Sequence, residues 1–501
     1  MDSGQETSER SGIGPQTAAG RGGARGAPES GPQARPPESE PRPSAPESEP
    51  QPRPGEIRVR RLTEPKAPPA SARERVSALL ALASAIGVGA FLVSSLTPSG
   101  GAGAGATFEA TAAGRAVAPG GRIVLTGSQA PPSASLVLET RSRGAHWRAA
   151  GETTSDEDGR FRLEGRVVAR PGPVTVRARA SDGAVATPVR VMVRPLRLAS
   201  VGDINLGDVP GQAIASNGAR WPWESAGQWL RRADIAFGNL ESAVSTRGTP
   251  FPKEFNFRGT PDALAGLRRH SGIDVLNLAN NHTGDYGPEA TLDTVRGVER
   301  LGMKAVGAGA DLRRALAPQV IERLGLRVAF VGFSNIAPVE FAASESSPGT
   351  AWATPESIAA AVQAARRRAD VVVATFHWGI EKQTLESADQ RALADVAVRA
   401  GAQLVIGAHP HTLQPVRRQG AALVAYSLGN FVFGAQSTDT STTGILEVGL
   451  TAEGVTAARW RAGRISGGRP TLAKRPRRLP LGDDLTMETG VNLAGPVSPL
   501  L

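Results

Sequence analysis

At 501 residues the chain has room for two or three domains, and with no cysteine it has no disulfide, thiolate metal site or cysteine nucleophile. A large core lets an exported protein do without disulfides, so export stays open. The net charge of +10 is a property of a soluble surface that also suits an anionic polymer; with only two tyrosines and no basic run interleaved with aromatics, nucleic acid is not an expected partner.

Residues 1–75 are rich in Pro, Gly, Ser, Glu and Arg and carry a near-repeat, PESEPRPSA then PESEPQPRP, beginning at Pro37 and Pro46. Such a composition buries too little apolar surface to offset the entropy of ordering, so the segment reads as a disordered tail. Residues 76–96, VSALLALASAIGVGAFLVSSL, are 21 residues without a charge. A helix of that length spans about 30 Å, the thickness of a bilayer core. Arg58, Arg60, Arg61, Lys66, Arg73 and Arg75 precede it, and no basic residue follows until Arg115. The positive-inside rule therefore keeps the N-terminus cytoplasmic and places the remainder outside. The following GAGAGA resembles a cleavage region, but 75 residues is too long a leader for a signal peptide, so an uncleaved single-pass anchor is expected.

Residues 106–195 change to short alternating runs separated by Gly, Asp and Pro: RIVLTG, SLVLETRS, HWRAAGETT, GRFRLEGRV, VTVRARAS and TPVRVMVRP. This spacing predicts a small antiparallel β-sandwich. The stretch HWRAAGETTSDEDGRFRLEGRV resembles bacterial immunoglobulin-like or carboxypeptidase-regulatory-like modules, which implies a spacer or weak binder.

From residue 196 to 465 apolar runs alternate with helical patterns. The strand candidates are LRLASVG, DIAFGN, DVLNLAN, RVAFVGF, DVVVATF, AQLVIGA and ALVAYSL; helices are predicted over 261–270, 288–301, 355–368 and 388–400. Buried strands alternating with amphipathic helices predict an α/β layered fold with a largely parallel sheet, whose ligands bind at the carboxyl ends of strands. Residues 466–501 read as a basic, largely irregular tail.

Polar groups gather where these strands stop. Asp203 and Asn205 follow the first strand, and Asn239 and Glu241 the second. Asn281, His282 and Asp285 follow the third, His377 and Glu381 the fifth, His409 and His411 the sixth, and Ser427 and Asn430 the seventh. Four of the six histidines lie in this set, and His409 and His411, two apart in an extended segment, point to one side. Imidazoles with carboxylate and carboxamide oxygens suit Mn, Fe, Zn or Mg, and a pair of such ions can stabilise both ends of an in-line displacement. The same groups, left neutral, make a hydrogen-bonding pocket for carboxylates.

In order, GDINLG, GNLES, NLANNHTGDYG, FHWGIE, IGAHPHTLQPV and YSLGNFVFG resemble the motif series of the CapA/PgsA poly-γ-glutamate capsule-synthesis family over residues 197–434. The resemblance implies a metallophosphatase-like, calcineurin-like fold: a layered β-sandwich flanked by helices, anchored by one membrane helix and facing outward. It implies Asp203, Glu241, Asn281, His377, His409 and His411 as metal ligands, and His282, oriented by Asp285, as the catalytic group. Asn205, Asn239, Glu381, Ser427 and Asn430 are the expected substrate contacts. Two departures stand out: Asn205 takes the place of an expected histidine, and Glu241 that of a bridging aspartate. Two functions follow from the resemblance. One is a metal-dependent hydrolase or transferase acting on a phosphoester, or on the amide of a γ-glutamyl polymer or cell-wall peptide. The other is a non-catalytic accessory subunit that binds an anionic envelope polymer beside a membrane synthetase complex.

Overall fold

The computed structural model describes residues 107–479, which belong to one compact unit. The tail and apolar segment expected over residues 1–96 lie outside the described residues, and no described helix is long and apolar enough to cross a membrane. Residues 107–193 form nine hydrogen-bonded strands, mostly antiparallel: seven follow one path, and the pair at Ser135–Ser142 and Arg148–Thr154 branches from it. They fold over a core of Phe108, Leu125, Leu136, Leu138, Leu163 and Val176. The alternation legible in FRLEGR is seen as buried Phe161, Leu163 and Gly165 between exposed neighbours. Each such apolar side chain, fully buried, contributes about 1.5–3 kcal/mol.

The α/β part begins with β1 (Leu196–Ile204) and β2 (Ile235–Leu240), then α1 (Pro261–Ser271), β3 (Val275–Asn277), α2 (Gly287–Arg300) and β4 (Lys304–Val306). β1, β2, β3 and β4 pair in parallel. The chain then builds a second sheet from β5 (Gln319–Arg323), β6 (Leu326–Ser334), β7 (Val371–His377), β8 (Leu404–Ala408), β9 (Val416–Gln419) and β10 (Ala422–Ala425). Helices α3 (Pro355–Arg366) and α4 (Ala388–Ala400) fall between its strands. Finally a long hairpin, β11 (Thr442–Thr451) and β12 (Gly454–Ser466), returns to the first sheet against β1, followed by β13 (Arg469–Leu472) and β14 (Arg477–Leu479).

Both sheets are therefore mixed, which corrects the expectation of one largely parallel sheet. The first is extended by the antiparallel hairpin, and β5 and β9 are antiparallel edges of the second. Residues 469–479, expected to be irregular, add two strands because the exposed backbone of β12 offers them a ladder.

Side-chain alternation decides how the layers stack. Leu198, Phe237 and Val275 face Val328, Phe330 and Val373 across the interior, with the rings of Phe237 and Phe330 stacked 6.0 Å apart. Their neighbours face outward. Ala236 and Leu276 pack on Leu264 and Leu267 of α1, while Val372 and Ala374 pack on Ile358 of α3 and Ala394 of α4. The result is two sheets face to face with helices outside. Helix ends lie close to their expected places because their caps are local. Thr354 and Ser387 close capping boxes on α3 and α4, and left-handed Gly401 stops α4.

The all-β part docks by its own backbone. The N–H of Ala118 donates to Leu324 O and that of Arg122 to Gly325 O, both at 2.9 Å. Asp370, 7 % exposed, sits among Arg122, Arg166 and Arg327 at 3.6, 2.8 and 3.7 Å.

Candidate metal centre

The carboxyl ends of β1, β2, β3, β7 and β8 converge, and they bring the strand-end motifs to one place. β1 carries Asp203 beyond an irregularity in its pairing with β2, so its last residues are re-aimed. Gly202 lets the chain pass the loop after β10, because a Cβ there would lie 1.8 Å from Gly429 O. His409 and His411 both adopt left-handed backbone, φ 97° and 59°, which turns successive side chains into the site. Such strain is uncommon outside glycine and is concentrated at functional sites.

Glu241, wholly buried, occupies the centre. Its Oε1 lies 3.5 Å from His377 Nε2, 3.8 Å from His411 Nε2 and 3.9 Å from His282 Nε2. Neither carboxylate oxygen meets a hydrogen-bond donor among the described residues, and neither does Nδ1 of His409. An unpartnered buried carboxylate is costly by several kcal/mol, so a group of this kind needs a proton or a cation. Burial pushes Glu241 well above the usual carboxylate range, and the charge of Asp203 adds to this. Burial, with the neighbouring His409 and His411, pushes His377 well below the usual imidazole range; His409 is pushed down to about 3 by burial and His411. Neutral imidazoles are the form that ligates a metal.

Three groupings offer ligand atoms within 4.8 Å of one another: Glu241, His377 and His409; Asp203, Glu241 and His411; and, nearer solvent, Glu381, His409 and His411. Glu241 is common to the first two. The unpartnered carboxylate and the mixed N/O donors fit a divalent transition metal or Mg.

The surrounding groups hold these side chains in place. Asn277 donates to Asn239 at 2.8 Å, and Asn239 in turn donates to Asp203 Oδ1 at 2.8 Å and lies 3.2 Å from His377 Nδ1. Asn281 Oδ1 is 2.8 Å from His377 Nε2. His411 Nδ1 is 2.8 Å from Asn430 Oδ1 and 3.3 Å from Asp203 Oδ2; burial lowers its affinity for protons, but the Asp203 and Asn430 contacts outweigh that and raise it. His282 stacks on Phe257 at 4.0 Å and gives its Nδ1–H to Asp285 at 2.8 Å.

Not every expected substrate contact faces the centre. Ser427 donates to Thr412 O at 2.7 Å and accepts from the Gly429 N–H, so its hydroxyl braces the histidine loop. Asn205 accepts from the Gly207 N–H at 2.7 Å, closing a turn instead of reaching the ring of histidines. Asn239 and Asn430 lie behind the first ligands, and Glu381 alone of the five is exposed.

Lys253 was not among the expected residues. Its Nζ lies 2.6 Å from Asp285 Oδ1 and 2.6 Å from Asn281 O, tying two site loops together. It sits in an aperiodic Pro-Phe-Pro-Lys loop, and the one signal was its rarity as one of five lysines among 57 basic residues.

Fold and site together define an α/β two-sheet protein with a buried carboxylate–histidine centre at its strand ends. The model of the family "Bacterial capsule synthesis protein PGA_cap" matches residues 197–435, and the chain belongs to this CapA-type family. It is 31 % identical to the PGA biosynthesis protein CapA of Bacillus subtilis over 51 % of this chain and 67 % of that one. It is 30 % identical to the capsule biosynthesis protein CapA of Bacillus anthracis over 52 % and 65 %. A probable polyglutamine synthesis accessory protein of Mycobacterium tuberculosis is 31 % identical over 42 % of this chain and 60 % of its own length. Among solved structures, the NAD nucleotidase of Haemophilus influenzae covers 58 % of this chain and 60 % of its own at 11 % identity and a TM-score of 0.34, too remote to argue from.

Proposed function

We propose that this chain works at the outer face of a membrane, anchored by residues 76–96, in the synthesis or export of poly-γ-glutamate or a similar anionic polymer. Its centre is a metallophosphatase-like hydrolase site that holds a divalent metal. The family and its relatives in Bacillus support the polymer; the arginines before the apolar segment support the orientation. The all-β part is an immunoglobulin-like spacer between the anchor and the site. The observation that carries the metal is Glu241, a buried carboxylate without a donor and with three imidazoles around it.

Glu241, His377 and His409, with Asn281, would hold one ion, and Asp203, Glu241 and His411 a second. Such an ion supplies Lewis acidity toward a phosphoryl or carbonyl oxygen and lowers the pKa of a water. Asp285 holds His282 with its proton on Nδ1, so Nε2 bears the lone pair and faces the centre. From there it takes a proton from a nucleophile or, once protonated, returns one to a leaving group. A phosphoester or a γ-glutamyl amide is the matching substrate.

Asn205 favours a second reading. With its oxygen engaged in a turn, the Asp203 side of the centre has one donor fewer, as expected of an accessory subunit that binds polymer without cleaving it beside a membrane synthetase.

Metal analysis of the purified full-length protein, wild type beside His409→Ala/His411→Ala, tests the reading. About one to two equivalents of transition metal, lost in the variant, are expected. Absence of metal after incubation with Mn, Zn or Fe would overturn the hydrolase. Bound metal without hydrolysis of phosphoesters or γ-glutamyl peptides would select the accessory role.

A further inference from the structure

The amino ends of the first sheet carry a second concentration of charge, away from the histidines. A cavity of about 520 Å³ opens beside β1 and the β11–β12 hairpin, lined by Arg197, Arg232, Arg459 and Trp229 among others. Its neighbour, about 680 Å³, lies between the all-β part and the turn of the same hairpin and includes Arg148, Arg170 and His146. Both cavities are walled by Pro195 and by residues of the hairpin, Glu447–Gly449 in one and Thr451, Glu453 and Thr456 in the other. The shared Pro195 wall and the neighbouring hairpin residues place the two openings side by side along the hairpin, a crease in two parts.

The crease has more cations than it can neutralise. Asp234 is already held by Arg194 in a two-pronged pair at 2.7 and 2.8 Å, and Glu447 is held by the buried Arg461 at 2.9 Å. Arg197 is 61 % exposed and only 4.0 Å from the occupied Asp234. Arg148, Arg170 and Arg459 are exposed and make no ion pair among the described residues, while Glu453 is the remaining acid in the lining. Arg232 lies 4.8 Å over Trp229, which also carries Arg461 at 3.7 Å. β14 adds the exposed Arg478 beside the hairpin.

We propose that this crease is a binding site for an extended polycarboxylate chain, separate from the metal centre. The assignment of the polymer rests on the function proposed above, but the site does not depend on the metal. Guanidinium groups match carboxylates with two parallel hydrogen bonds, as Arg194 and Asp234 already do at its edge. A hairpin edge of this length spans roughly 20 Å, enough for several monomers of a linear chain. Bases find no free aromatic platform, since the Trp229 ring is occupied by two guanidinium groups. A concave lining does not suit a flat lipid surface. Arg197 and Asp203 stand at opposite ends of β1, about 20 Å apart, so the crease retains a chain and does not react with it.

The test is fluorescence anisotropy of an end-labelled oligo-γ-glutamate with the full-length protein. The comparison is wild type, a variant with Arg148→Gln, Arg170→Gln, Arg232→Gln and Arg459→Gln, and His409→Ala/His411→Ala. All four arginines are exposed, so the quadruple variant should retain its fold and its metal content. Expected is an affinity lower by about tenfold or more in the quadruple variant, with salt-sensitive binding kept in the histidine variant. Should the quadruple variant misfold, Arg148→Gln/Arg170→Gln, confined to the all-β part, should still weaken binding measurably. Unchanged affinity in the arginine variants, or loss only in the histidine variant, would overturn the site. Displacement of the peptide by an oligonucleotide or by phosphatidylglycerol vesicles as readily as by unlabelled oligo-γ-glutamate would overturn its assignment to a polycarboxylate. Loss of metal binding in the histidine variant with the crease still active would leave this inference standing alone.

Discussion

Lys253 and Asp285 show how much of the centre's order depends on single side chains. Asp285 is fully buried: its Oδ2 accepts from His282 and the N–H of Phe257, and its Oδ1 is ion-paired with Lys253 at 2.6 Å. Removing the ammonium group leaves a buried carboxylate short of a cation, which in such pairs costs about 3 kcal/mol or more. Lys253→Met should therefore lower stability by that amount in chemical denaturation, and Lys253→Met/Asp285→Asn should recover much of it. A single-variant loss below about 1 kcal/mol would mean that the pair is no more than a surface contact. Glu241, by contrast, has no hydrogen-bond donor at either oxygen among the described residues, which leaves both oxygens to meet a cation.

At the scale of elements, the centre depends on how closely strand ends approach. β1 reaches its site beside the loop after β10 because residue 202 has no side chain. In Gly202→Ala the added carbon meets the backbone carbonyl of Gly429, which no rotamer change relieves. A loss of about 2–3 kcal/mol is expected, with reduced metal retention because Asp203 is displaced with its strand. Denaturation and metal analysis on one preparation would check both, and full stability would show that the two segments separate without cost. The helices, by contrast, announce themselves. Thr260, Thr354 and Ser387 cap α1, α3 and α4 from within a few residues, so their starts were readable without knowing the neighbours.

Across the whole molecule, the junction between the all-β part and the α/β part is set by Asp370 and the turn at Leu324 and Gly325. Burial alone would raise the carboxyl of Asp370, but the hydrogen bonds of Arg166 and the Arg327 N–H and the charge of Arg122 hold it below its ordinary value of 3.8. A depressed acid stabilises the folded state above its unfolded pKa, and that contribution is lost as pH falls through the folded value. Asp370→Asn should thus destabilise the protein by about 1.5–3 kcal/mol at neutral pH, and the gap from wild type should narrow well below pH 3.8. Urea denaturation at pH 7 and pH 3 measures this, and an equal gap at both would exclude the ionic account.

The order of strands and helices, the strand-end motifs and the gathering of His282, His377, His409 and His411 were determined by sequence alone, because periodicity, caps and turn residues act over a few positions. Tertiary structure decided the rest. The β11–β12 hairpin joins β1 across more than two hundred residues, and its partner is not written in its own alternation. Ser427 and Asn205 carry the right chemistry for a site but are turned to loop bonds by the backbone around them. Lys253 and the arginine crease depend on which loops and cavities meet in space, since a charge reveals its role only once its partners and its burial are set by the fold.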